Sequence, residues 1–401
     1  MENNLKSVGI IAEYNPFHNG HKYHLEQALT ESGADVCVSV ISGNFTQRGE
    51  IALLDKWTRA EMAVRNGVNL VVEMPTVFAC SNAGYFAEAG VEILEALRAE
   101  SICFGSESGN TEELNRIARE IEYNMEKLEE EIKTGVKDGL SYPRARSQAI
   151  LRLFGENAAS VIESPNNILA IEYIRRMKNA RPLAVKRLGA GYHDTDSLDG
   201  MASATAVRKL LKEDGDISRI VPEISREMLQ NSRDCFADSQ MLTPLIIQKV
   251  LQTSAEELNF IFGAEEGLGN IMKNRVRYWK SYEDIVDDLK SKRYTRTRIE
   301  RVLVHTLLGI KREDMLCASK YIRVLAFDEK GSMYLKQVKK SRECKLPIIT
   351  NINRDKDAFP EIQATLEKDI LAADIYNMAC GRDLYAYSEY VKKPAAIKTC
   401  P

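Results

Sequence analysis

The first half of the chain alternates short apolar runs with segments of helical periodicity, and this alternation constrains the fold more than any other feature. Apolar runs typical of strands occupy residues 7–14, 35–42, 69–75, 99–106 and 182–189, and helical patterns occupy 18–32, 55–67, 84–97 and 203–214. Residues 111–134 and 144–180 also have a mostly helical pattern. Strands that alternate with helices of this length form right-handed βαβ units. The sequence therefore predicts an α/β domain built on a parallel sheet.

The pattern changes after about residue 215. Residues 222–310 and 359–380 have mostly helical periodicity, whereas residues 321–340 have the pattern of a β-hairpin that turns near Gly331. This second half therefore looks mainly helical, with one small β-hairpin.

We expect these two patterns to correspond to two domains. The first covers residues 1–215 and carries a helical insertion at about 111–180. The second covers residues 216–401 and is mainly helical. A chain of 401 residues is long enough for two domains of this size.

The composition limits where the chain can act and on what. Its formal net charge is −3, so a surface for nucleic acid must be a local patch. No apolar run approaches the roughly 18 residues of a membrane span, and the N-terminal residues lack the apolar core of a signal peptide. The eight cysteines are scattered without a CxxC pair, which argues against a zinc ribbon or a disulfide framework. We expect reduced thiols, a cytoplasmic location and no membrane contact.

The most unusual local feature is a cluster of histidines after the first apolar run. Three of the five histidines in the chain, His18, His21 and His24, lie within seven positions. Pro16 cannot continue a strand, and Gly20 lets the backbone approach a ligand. A helix that begins here, at the carboxyl end of a parallel strand, presents free N–H groups to an anion. Imidazoles three positions apart in that first turn can both face the anion, donate hydrogen bonds to it and stabilise charge that builds on a phosphorus centre.

Two other interpretations of these histidines are open. They could cap the helix or pack as half-buried groups, which is the usual role of an isolated histidine. They could also ligate zinc, although no cysteine or carboxylate lies at a supporting spacing and the helix would splay the three rings. We therefore predict an anion site with His18 and His21 as catalytic residues, and no metal site.

Two short motifs together resemble the signatures of the HxGH nucleotidyltransferase superfamily, whose members adenylylate substrates by attack on the α-phosphate of a nucleoside triphosphate. The first is Asn-Pro-Phe-His-Asn-Gly-His at 15–21, and the second is Ser-Ala-Thr-Ala-Val-Arg at 203–208. Either motif alone could be an ordinary helix start. The resemblance implies a Rossmann-like nucleotidyltransferase domain. It also implies that Ser203 or Thr205 offers a hydroxyl to the β- and γ-phosphates while Arg208 adds positive charge.

Longer blocks resemble one family within that superfamily, the bacterial tRNA(Met) cytidine acetate ligases. The blocks include VGIIAEYNPFHNGHKYHL, SGNFTQRGEIALLDKWTRAEMAVRNGVNLVVEMP, SPNNILAIEY and SKRYTRTRIERVLVH, and the likeness covers nearly the whole chain. The resemblance implies a two-step reaction that uses ATP with Mg2+, acetate and elongator tRNA(Met). Acetate attacks the α-phosphate of ATP to give acetyl-adenylate and pyrophosphate. The N4 amine of cytidine 34 in the tRNA then attacks the acyl carbon.

Two other classes of function are open at this point. A small-molecule adenylyltransferase would use the same nucleotide site without RNA, and an ATP-sensing binding protein would keep the fold without needing both histidines. The N4 amine of cytidine is a poor nucleophile, so a mixed anhydride supplies the leaving group that acetate lacks. Positioning and charge stabilisation suffice to make that anhydride, without a covalent nucleophile. The large second half with a basic, aromatic segment favours the RNA substrate.

The family resemblance also implies which residues surround ATP. They are Ile11, Ala12, Glu13, Tyr14, Asn15, Pro16, Phe17, His18, Asn19, Gly20, His21, His24, Gly105, Asn166, Arg187, Ser203, Thr205 and Arg208. Gly105 follows an apolar run at the expected carboxyl end of a strand, but it could be a plain turn glycine. Asn166 follows Ser164 and Pro165 and could serve only a helix start. Arg187 could be a solvated surface arginine.

Glu13 departs from the superfamily pattern, in which a small hydroxyl residue is common at this position. A carboxylate beside a triphosphate would repel it. We therefore expect Glu13 either to fix its loop by hydrogen bonds or to share a cation with the phosphates. The roles of Glu50, Lys56 and Arg59 are open between an acetate pocket and RNA contact.

The predicted RNA surface is a basic segment in the second half of the chain. Its residues are Lys290, Lys292, Arg293, Tyr294, Arg296 and Arg298, followed by Arg301. The cations could bind phosphates, and the tyrosine could stack on a base. The alternative is a solvated helix start. Residues 336–345 are a weaker second candidate.

Overall fold

The computed structural model describes residues 4–188 and 200–398, and the alternation predicted for its first half is confirmed. The strands are β1 (Ser7–Ala12), β2 (Val36–Ser42), β3 (Leu70–Met74), β4 (Ser101–Ser106) and β5 (Arg181–Lys186). The helices between them are α1 (Asn19–Ser32), α2 (Lys56–Arg65), α3 (Thr76–Ala79), α4 (Ala83–Ala96), α5 (Thr111–Tyr123), α6 (Met125–Lys137), α7 (Tyr142–Ile162) and α8 (Pro165–Arg176). The loop expected after the fifth strand lies at 189–199, outside the described residues, and α9 (Ala204–Lys212) follows it.

These five strands are parallel and form the centre of one sheet. Their order is β5–β4–β1–β2–β3, so the chain first runs from β1 to one side and then returns to the other side of β1. The reversal leaves a switch point between β1 and β4. In an open α/β sheet, ligands bind in the crevice beyond the carboxyl ends of the strands at such a point. The segment 15–21, which follows β1 and contains His18 and His21, is called the histidine loop. The topology thus places this loop where a ligand site is expected.

The sheet is buried on both faces, as its nearly continuous apolar strands require. Every residue of β2 is buried. Val36, Val38 and Val40 pack into one apolar core with residues of α4, α5 and α8, and Cys37 and Ile41 pack into a second core with residues of α1, α2 and α9. Helices therefore cover both faces, which leaves the strand ends as the place for a ligand.

The C-terminal half is mainly helical, as predicted. Its helices are α10 (Glu223–Asn231), α11 (Thr243–Gln252), α12 (Ala255–Asn259), α13 (Leu268–Arg275), α14 (Tyr282–Leu289), α15 (Arg296–Leu308), α16 (Arg312–Cys317), α17 (Glu329–Ser341), α18 (Ile352–Asp355) and α19 (Gln363–Ala379). Among the helices of residues 4–188 and 200–398, none has the length and apolar character needed to span a bilayer.

The C-terminal half also extends the sheet of the first half. It contributes β6 (Ile322–Phe327), β7 (Ile348–Ile349) and β8 (Ala395–Ala396). Strand β6 pairs antiparallel with β3, and both β7 and β8 pair parallel with β6. No local sequence pattern predicts this pairing, because it joins strands about 250 residues apart.

The prediction of a β-hairpin at residues 321–340 is wrong. Its first arm is β6, but the chain then enters α17. The Asp328 side chain caps this helix by accepting a hydrogen bond from Gly331 N at 2.7 Å, and it accepts another from Asn69 Nδ2 at 2.8 Å. A Cβ on Gly331 would lie 1.9 Å from the carbonyl oxygen of Asn69. The glycine therefore reflects a close approach between helix and sheet, and not a hairpin turn.

Candidate active site

The loop between β1 and α1 holds His18 and His21 together at the N-terminus of α1. His18 is the N-cap, and its Nδ1 accepts a hydrogen bond from Gly20 N at 3.0 Å. Nδ1 of His21 accepts a hydrogen bond from His18 N at 3.3 Å, and the two rings stack with their centroids 3.8 Å apart. Such reciprocal bonds satisfy N–H groups that the first helical turn leaves without partners. His18 and His21 therefore cap the N-terminus of α1, and these hydrogen bonds fix the positions of both rings.

The clustered histidines are held in the neutral form. Burial lowers the pKa of His18 to about 3, and Arg187 and Arg208 add to the effect. Burial also lowers the pKa of His24 to about 4, and burial with the neighbouring histidines lowers the pKa of His21 well below its usual value. A neutral imidazole whose Nδ1 accepts a hydrogen bond carries its proton on Nε2. His18 and His21 therefore each have an Nε2–H donor, the group that can stabilise charge developing on a phosphate.

The three histidines do not converge on one centre. His24 is positioned separately, with its Nε2 3.3 Å from Sγ of Cys103 on β4. Burial raises the pKa of the Cys103 thiol, so it stays protonated at neutral pH. Within the described residues, no group of three or more histidine, cysteine or carboxylate side chains is arranged to hold a metal ion.

A cavity of about 420 Å3 opens beyond the carboxyl ends of the central strands. Of the residues predicted to surround ATP, those in its wall are Ile11, Ala12, Glu13, Tyr14, Asn15, His18, Gly20, His21, His24, Gly105, Asn166, Arg187, Ser203, Thr205 and Arg208. Pro16, Phe17 and Asn19 are not among the lining residues. Phe17 is fully buried, and Asn19 Nδ2 donates hydrogen bonds to the carbonyls of Gly200 and Arg219. These contacts hold the loop in place behind the cavity.

A second helix N-terminus meets the first one at this cavity. The Ser203 side chain caps α9 and accepts a hydrogen bond from a backbone N–H of its first turn at 3.1 Å. The Arg208 guanidinium donates to Asn15 O at 2.9 Å and to the Glu50 carboxylate at 3.0 Å, and it lies 3.5 Å from the Thr205 hydroxyl. Arg208 therefore ties the second motif to the histidine loop, and Glu50 belongs to the cavity wall.

The three isolated candidates, Gly105, Asn166 and Arg187, line the same cavity. Gly105 is the penultimate residue of β4 and lies close to Arg187, since a Cβ on the glycine would be 3.3 Å from Cγ of the arginine. Asn166 donates from Nδ2 to Glu107 Oε1 at 2.6 Å, just after the Ser164 N-cap of α8. Asn166 therefore serves the start of α8 and lines the cavity as well.

Glu13 fixes a neighbouring loop. Its Oε1 accepts a hydrogen bond from Gln47 N at 2.8 Å, and its carbonyl oxygen accepts one from Arg59. Gln47 in turn donates from Nε2 to Ser81 O at 2.8 Å. Burial raises the pKa of Glu13, and the Gln47 N–H opposes that rise. Of the two roles expected for Glu13, these contacts support the fixing of the loop.

Other residues of the cavity wall were not identified from the sequence. They are Tyr23, Gln47, Arg48, Ala83, Phe86, Phe104, Pro165, Ile168, Leu169, Tyr173, Val185, Lys186, Leu188, Met201, Ala202, Ala204 and Ala206. Phe104 and Lys186 lie near the carboxyl ends of β4 and β5, so the rule for parallel sheets could have found them. Gln47 and Arg48 reach the cavity only through tertiary contacts of a loop, for which the sequence has no signal.

Lys56 and Arg59 take neither of the roles that the sequence left open for them. Both side chains are fully buried. Nζ of Lys56 lies 2.7 Å from the Glu73 carboxylate and 3.0 Å from that of Glu389. Arg59 donates hydrogen bonds to backbone carbonyls at the strand ends, including Ser42 O at 3.0 Å. Both cations therefore support the framework of the site and are closed to acetate and RNA.

The aromatic centre of the predicted RNA surface is buried. Tyr294 is only 4% exposed, and its hydroxyl donates a hydrogen bond to Glu266 O at 3.0 Å. The Arg298 guanidinium lies 4.9 Å from the centroid of that ring, and its Nε donates to Gly263 O at 3.1 Å. The expectation that Tyr294 stacks on a base is therefore wrong, because the ring belongs to the apolar core.

The cations of the same segment fall into two groups. Arg296 pairs with Glu283 at 2.7 Å and with the buried Glu300 at 2.9 Å, so it is part of an internal network. Arg296 is exposed as well, but Lys290, Lys292 and Arg293 are exposed without taking part in that network. The weaker candidate at 336–345 covers the end of α17 and the loop after it.

Comparisons with known proteins agree with this architecture. Residues 5–388 match the family model described as HIGH Nucleotidyl Transferase. The tRNA(Met) cytidine acetate ligase of Anoxybacillus flavithermus is 38% identical over 363 residues, which cover 86% of this chain and 89% of that protein. The protein of the same name from Listeria monocytogenes is 36% identical over 96% of this chain and 98% of its own length.

Two solved structures share the fold over almost the full length. TmcAL of Thermotoga maritima in an apo crystal form has a TM-score of 0.91 at 32% identity, covering 98% of this chain and 100% of that chain. TmcAL of the same organism bound with alpha-thio ATP has a TM-score of 0.89 at 31% identity, with the same coverage. The resemblance found in the sequence is thus confirmed: this chain belongs to the HIGH nucleotidyl transferase family and, within it, to the tRNA(Met) cytidine acetate ligase family.

Proposed function

We propose that this chain is an ATP-dependent ligase that acetylates N4 of cytidine 34 in elongator tRNA(Met). The observation that carries the proposal is the cavity at the switch point of the sheet, where two helix N-termini meet beside His18 and His21. Relatives over nearly the whole chain bear the name tRNA(Met) cytidine acetate ligase, and a related structure holds alpha-thio ATP. A tRNA substrate places the enzyme in the cytoplasm.

In the first step, a carboxylate oxygen of acetate attacks the α-phosphorus of ATP. The bond from that phosphorus to pyrophosphate breaks, and pyrophosphate leaves. Acetate is already an anion, so the step needs no general base. The Nε2–H groups of His18 and His21 stabilise the charge that builds on the α-phosphate, and Arg187 and Arg208 balance the charge of the leaving pyrophosphate.

In the second step, the N4 amine of cytidine 34 attacks the acyl carbon of acetyl-adenylate. The bond between that carbon and the phosphate oxygen breaks, AMP leaves with the electron pair of that bond, and N4 releases one proton to water. Apolar side chains of the cavity wall, among them Phe86, Phe104 and Leu169, limit the access of water to the anhydride. The adenylate keeps the contacts that held ATP, so it stays in the cavity until the cytidine arrives.

Mg2+ accompanies ATP in this proposal. Phosphate oxygens supply most of the ligands that Mg2+ prefers, with one or two carboxylates from the protein. In the cavity, Glu50 pairs with Arg208 and Glu13 accepts a hydrogen bond from Gln47 N, so the phosphate oxygens would supply the main ligands of the ion. Lys290, Lys292 and Arg293 are the proposed phosphate contacts of the tRNA in the basic segment.

The test separates the two steps. Purified protein is incubated with acetate, Mg-ATP and a tRNA(Met) transcript, and the digested nucleosides are analysed by mass spectrometry for N4-acetylcytidine. We expect the product only when acetate and ATP are both present, and none on a transcript with uridine at position 34. Acetate-dependent exchange of pyrophosphate into ATP, measured without tRNA, reports the first step. Exchange without acetylation would overturn the RNA substrate in favour of a small-molecule adenylyltransferase, and loss of both would overturn the whole proposal.

A further inference from the structure

We propose that an exposed basic surface around Tyr278 docks an RNA strand and supplies the stacking platform that the buried Tyr294 cannot. We call it the Tyr278 surface, and its members are Arg277, Tyr278, Lys280, Lys290, Lys292 and Arg293. The inference rests on the proposed function, because a tRNA substrate is what requires such a surface. It adds an aromatic contact and two cations that the sequence motifs did not single out.

The exposure of Tyr278 is the first observation. The tyrosine ends a 3-10 turn (Val276–Tyr278) that directly follows α13, and it is 72% exposed. Its neighbours Val276 and Trp279 are 1% and 6% exposed, so they anchor the turn to the core. Arg277 and Lys280 are exposed on either side of the tyrosine. Bases of single-stranded RNA stack on exposed aromatic rings while nearby cations bind the phosphates, which is the combination found here.

Asp288 brings the two parts of the Tyr278 surface together. Its carboxylate accepts a hydrogen bond from Trp279 Nε1 at 2.9 Å and pairs with Arg275 at 2.8 Å. Asp288 lies in the last turn of α14, two residues before Lys290. The turn at 276–280 and the loop at 290–293 are therefore neighbours in space, although α14 separates them in the sequence.

The charge of this region opposes the charge of the whole chain. Residues 273–301 contain ten lysines and arginines and five acidic residues, whereas the complete chain has a net charge of −3. Three of those acids are used internally: Glu283 and Glu300 pair with Arg296, and Asp288 pairs with Arg275.

The cations of the Tyr278 surface are open to a polyanion. Among the residues that the structure describes, no carboxylate lies within 4.0 Å of the side-chain nitrogens of Arg277, Lys280, Lys290 or Lys292, and Arg293 has one long contact of 3.8 Å, to Glu266. The acids Asp284 and Asp287 are exposed on α14. We therefore expect the RNA to follow the turn and the loop and to avoid the outer face of that helix.

Helix α15 connects the Tyr278 surface to the cavity. It begins three residues after Arg293. One to two turns further along, about 7.5 Å for five residues, its backbone packs against Gly49, where a Cβ would collide with Arg301 N. Gly49 sits between Arg48 and Glu50, which both line the cavity. An RNA strand on this surface would therefore run beside the loop that forms one wall of the active site.

The test measures tRNA(Met) binding and pyrophosphate exchange on the same variants. We expect Tyr278→Ala to weaken binding about ten-fold or more, because stacking is lost, and Tyr278→Phe to bind like the wild type. The double variant Arg277→Ala/Lys280→Ala should reduce the slope of log affinity against log salt by about 1.4–1.8, for two lost phosphate contacts. Acetate-dependent pyrophosphate exchange should be unchanged in all three variants, since none of these residues lines the cavity.

Matched controls come from an acidic part of the surface. Tyr123 is 92% exposed and follows Glu122, and Lys127 and Lys133 are exposed on the glutamate-rich α6. Tyr123→Ala and Lys127→Ala/Lys133→Ala should leave tRNA affinity and its salt slope at wild-type values. Wild-type affinity and slope in the Tyr278→Ala and Arg277→Ala/Lys280→Ala proteins would overturn the Tyr278 surface while acetylation of the tRNA continues to support the proposed function. Absence of exchange and acetylation in the wild-type protein would instead overturn the proposed function itself.

Discussion

The histidine loop at 15–21 and the basic segment at 290–298 are equally conspicuous in the sequence, but the structure uses them differently. In the loop, His18 and His21 lie in the wall of the cavity and cap α1 at the same time. In the basic segment, Tyr294 is buried and Arg296 is bound to two carboxylates. The loop acts through local backbone geometry, which a short motif encodes. A binding surface acts through exposure and free charge, which depend on distant parts of the chain.

The largest expected effect tests the histidine loop. His21→Ala removes the Nε2–H donor that we propose for the α-phosphate and should slow acetate-dependent pyrophosphate exchange about 10²–10³-fold, which corresponds to ~2.7–4 kcal/mol of transition-state stabilisation. The fold should survive, because the ring lines the cavity and Ala removes only one acceptor of the α1 cap, while His18 still accepts the hydrogen bond from Gly20 N. Exchange rates and thermal unfolding are measured together. A folded variant with the wild-type exchange rate would contradict the catalytic role of His21.

The next effect tests whether Arg296 is structural. Arg296→Ala leaves the carboxylate of Glu300, which is 3% exposed, without its partner and should lower the free energy of unfolding by about 1–3 kcal/mol. Glu283→Gln is the control, because it removes only an exposed partner and should cost less than about 0.5 kcal/mol. Both are measured by urea denaturation. If the Arg296→Ala protein is as stable as the wild type but binds tRNA more weakly, the structural role is contradicted and Arg296 contacts the RNA instead.

A pH-dependent effect concerns the neutral histidines. The pKa of His18 is about 3 in the folded chain and about 6.5 in the unfolded chain, so the unfolded state binds the proton first as the pH falls. The stability linked to His18 is therefore complete above about pH 6.5 and is lost progressively as the pH falls toward 3. His18→Asn keeps an N-cap acceptor but cannot titrate, so its unfolding free energy should depend on pH less steeply, by up to about 1.4 kcal/mol per pH unit in that window.

Urea denaturation of the wild type and His18→Asn at several pH values between 7 and 4 measures this difference. Identical pH slopes in the two proteins would show that His18 is not held neutral by burial. The comparison also bears on the mechanism, because a neutral His18 is what provides a single Nε2–H donor with Nδ1 as the acceptor of the helix cap.

The smallest effect concerns Glu13. Glu13→Gln preserves an oxygen that can accept the Gln47 N–H and should change ATP affinity by less than about 0.5 kcal/mol, whereas Glu13→Ala frees the loop and should weaken binding by about 1–3 kcal/mol. ATP affinity is measured across magnesium concentrations for all three proteins. Weaker Mg-ATP binding by Glu13→Gln would indicate a shared cation. Tighter binding at every magnesium concentration would contradict both roles, since the carboxylate would then face the phosphates unshielded.

Most of the fold and the centre of the site could be predicted because they are locally encoded. Each of the first five strands is an apolar run that ends before a helical pattern, and the two nucleotidyltransferase motifs lie at the starts of α1 and α9. The error at Gly331 shows the limit of local patterns. A glycine that follows Asp328 in a stretch with an apolar run looks like a turn, but here it makes room for the carbonyl of Asn69. No residue near Gly331 in the sequence indicates this contact with Asn69.

The sequence by itself determined the parallel α/β architecture, the helix caps and the residues that meet at the carboxyl ends of the strands. Only the tertiary structure decided which cations are buried or ion-paired within the protein and which are exposed and available to a ligand. Lys56 and Arg59 are buried among partners from distant segments, whereas Arg277 and Lys280 stay exposed beside Tyr278. The physical reason is that helix caps and strand alternation depend on neighbours a few positions away. Burial and ion pairing instead depend on groups that only the folded chain brings together.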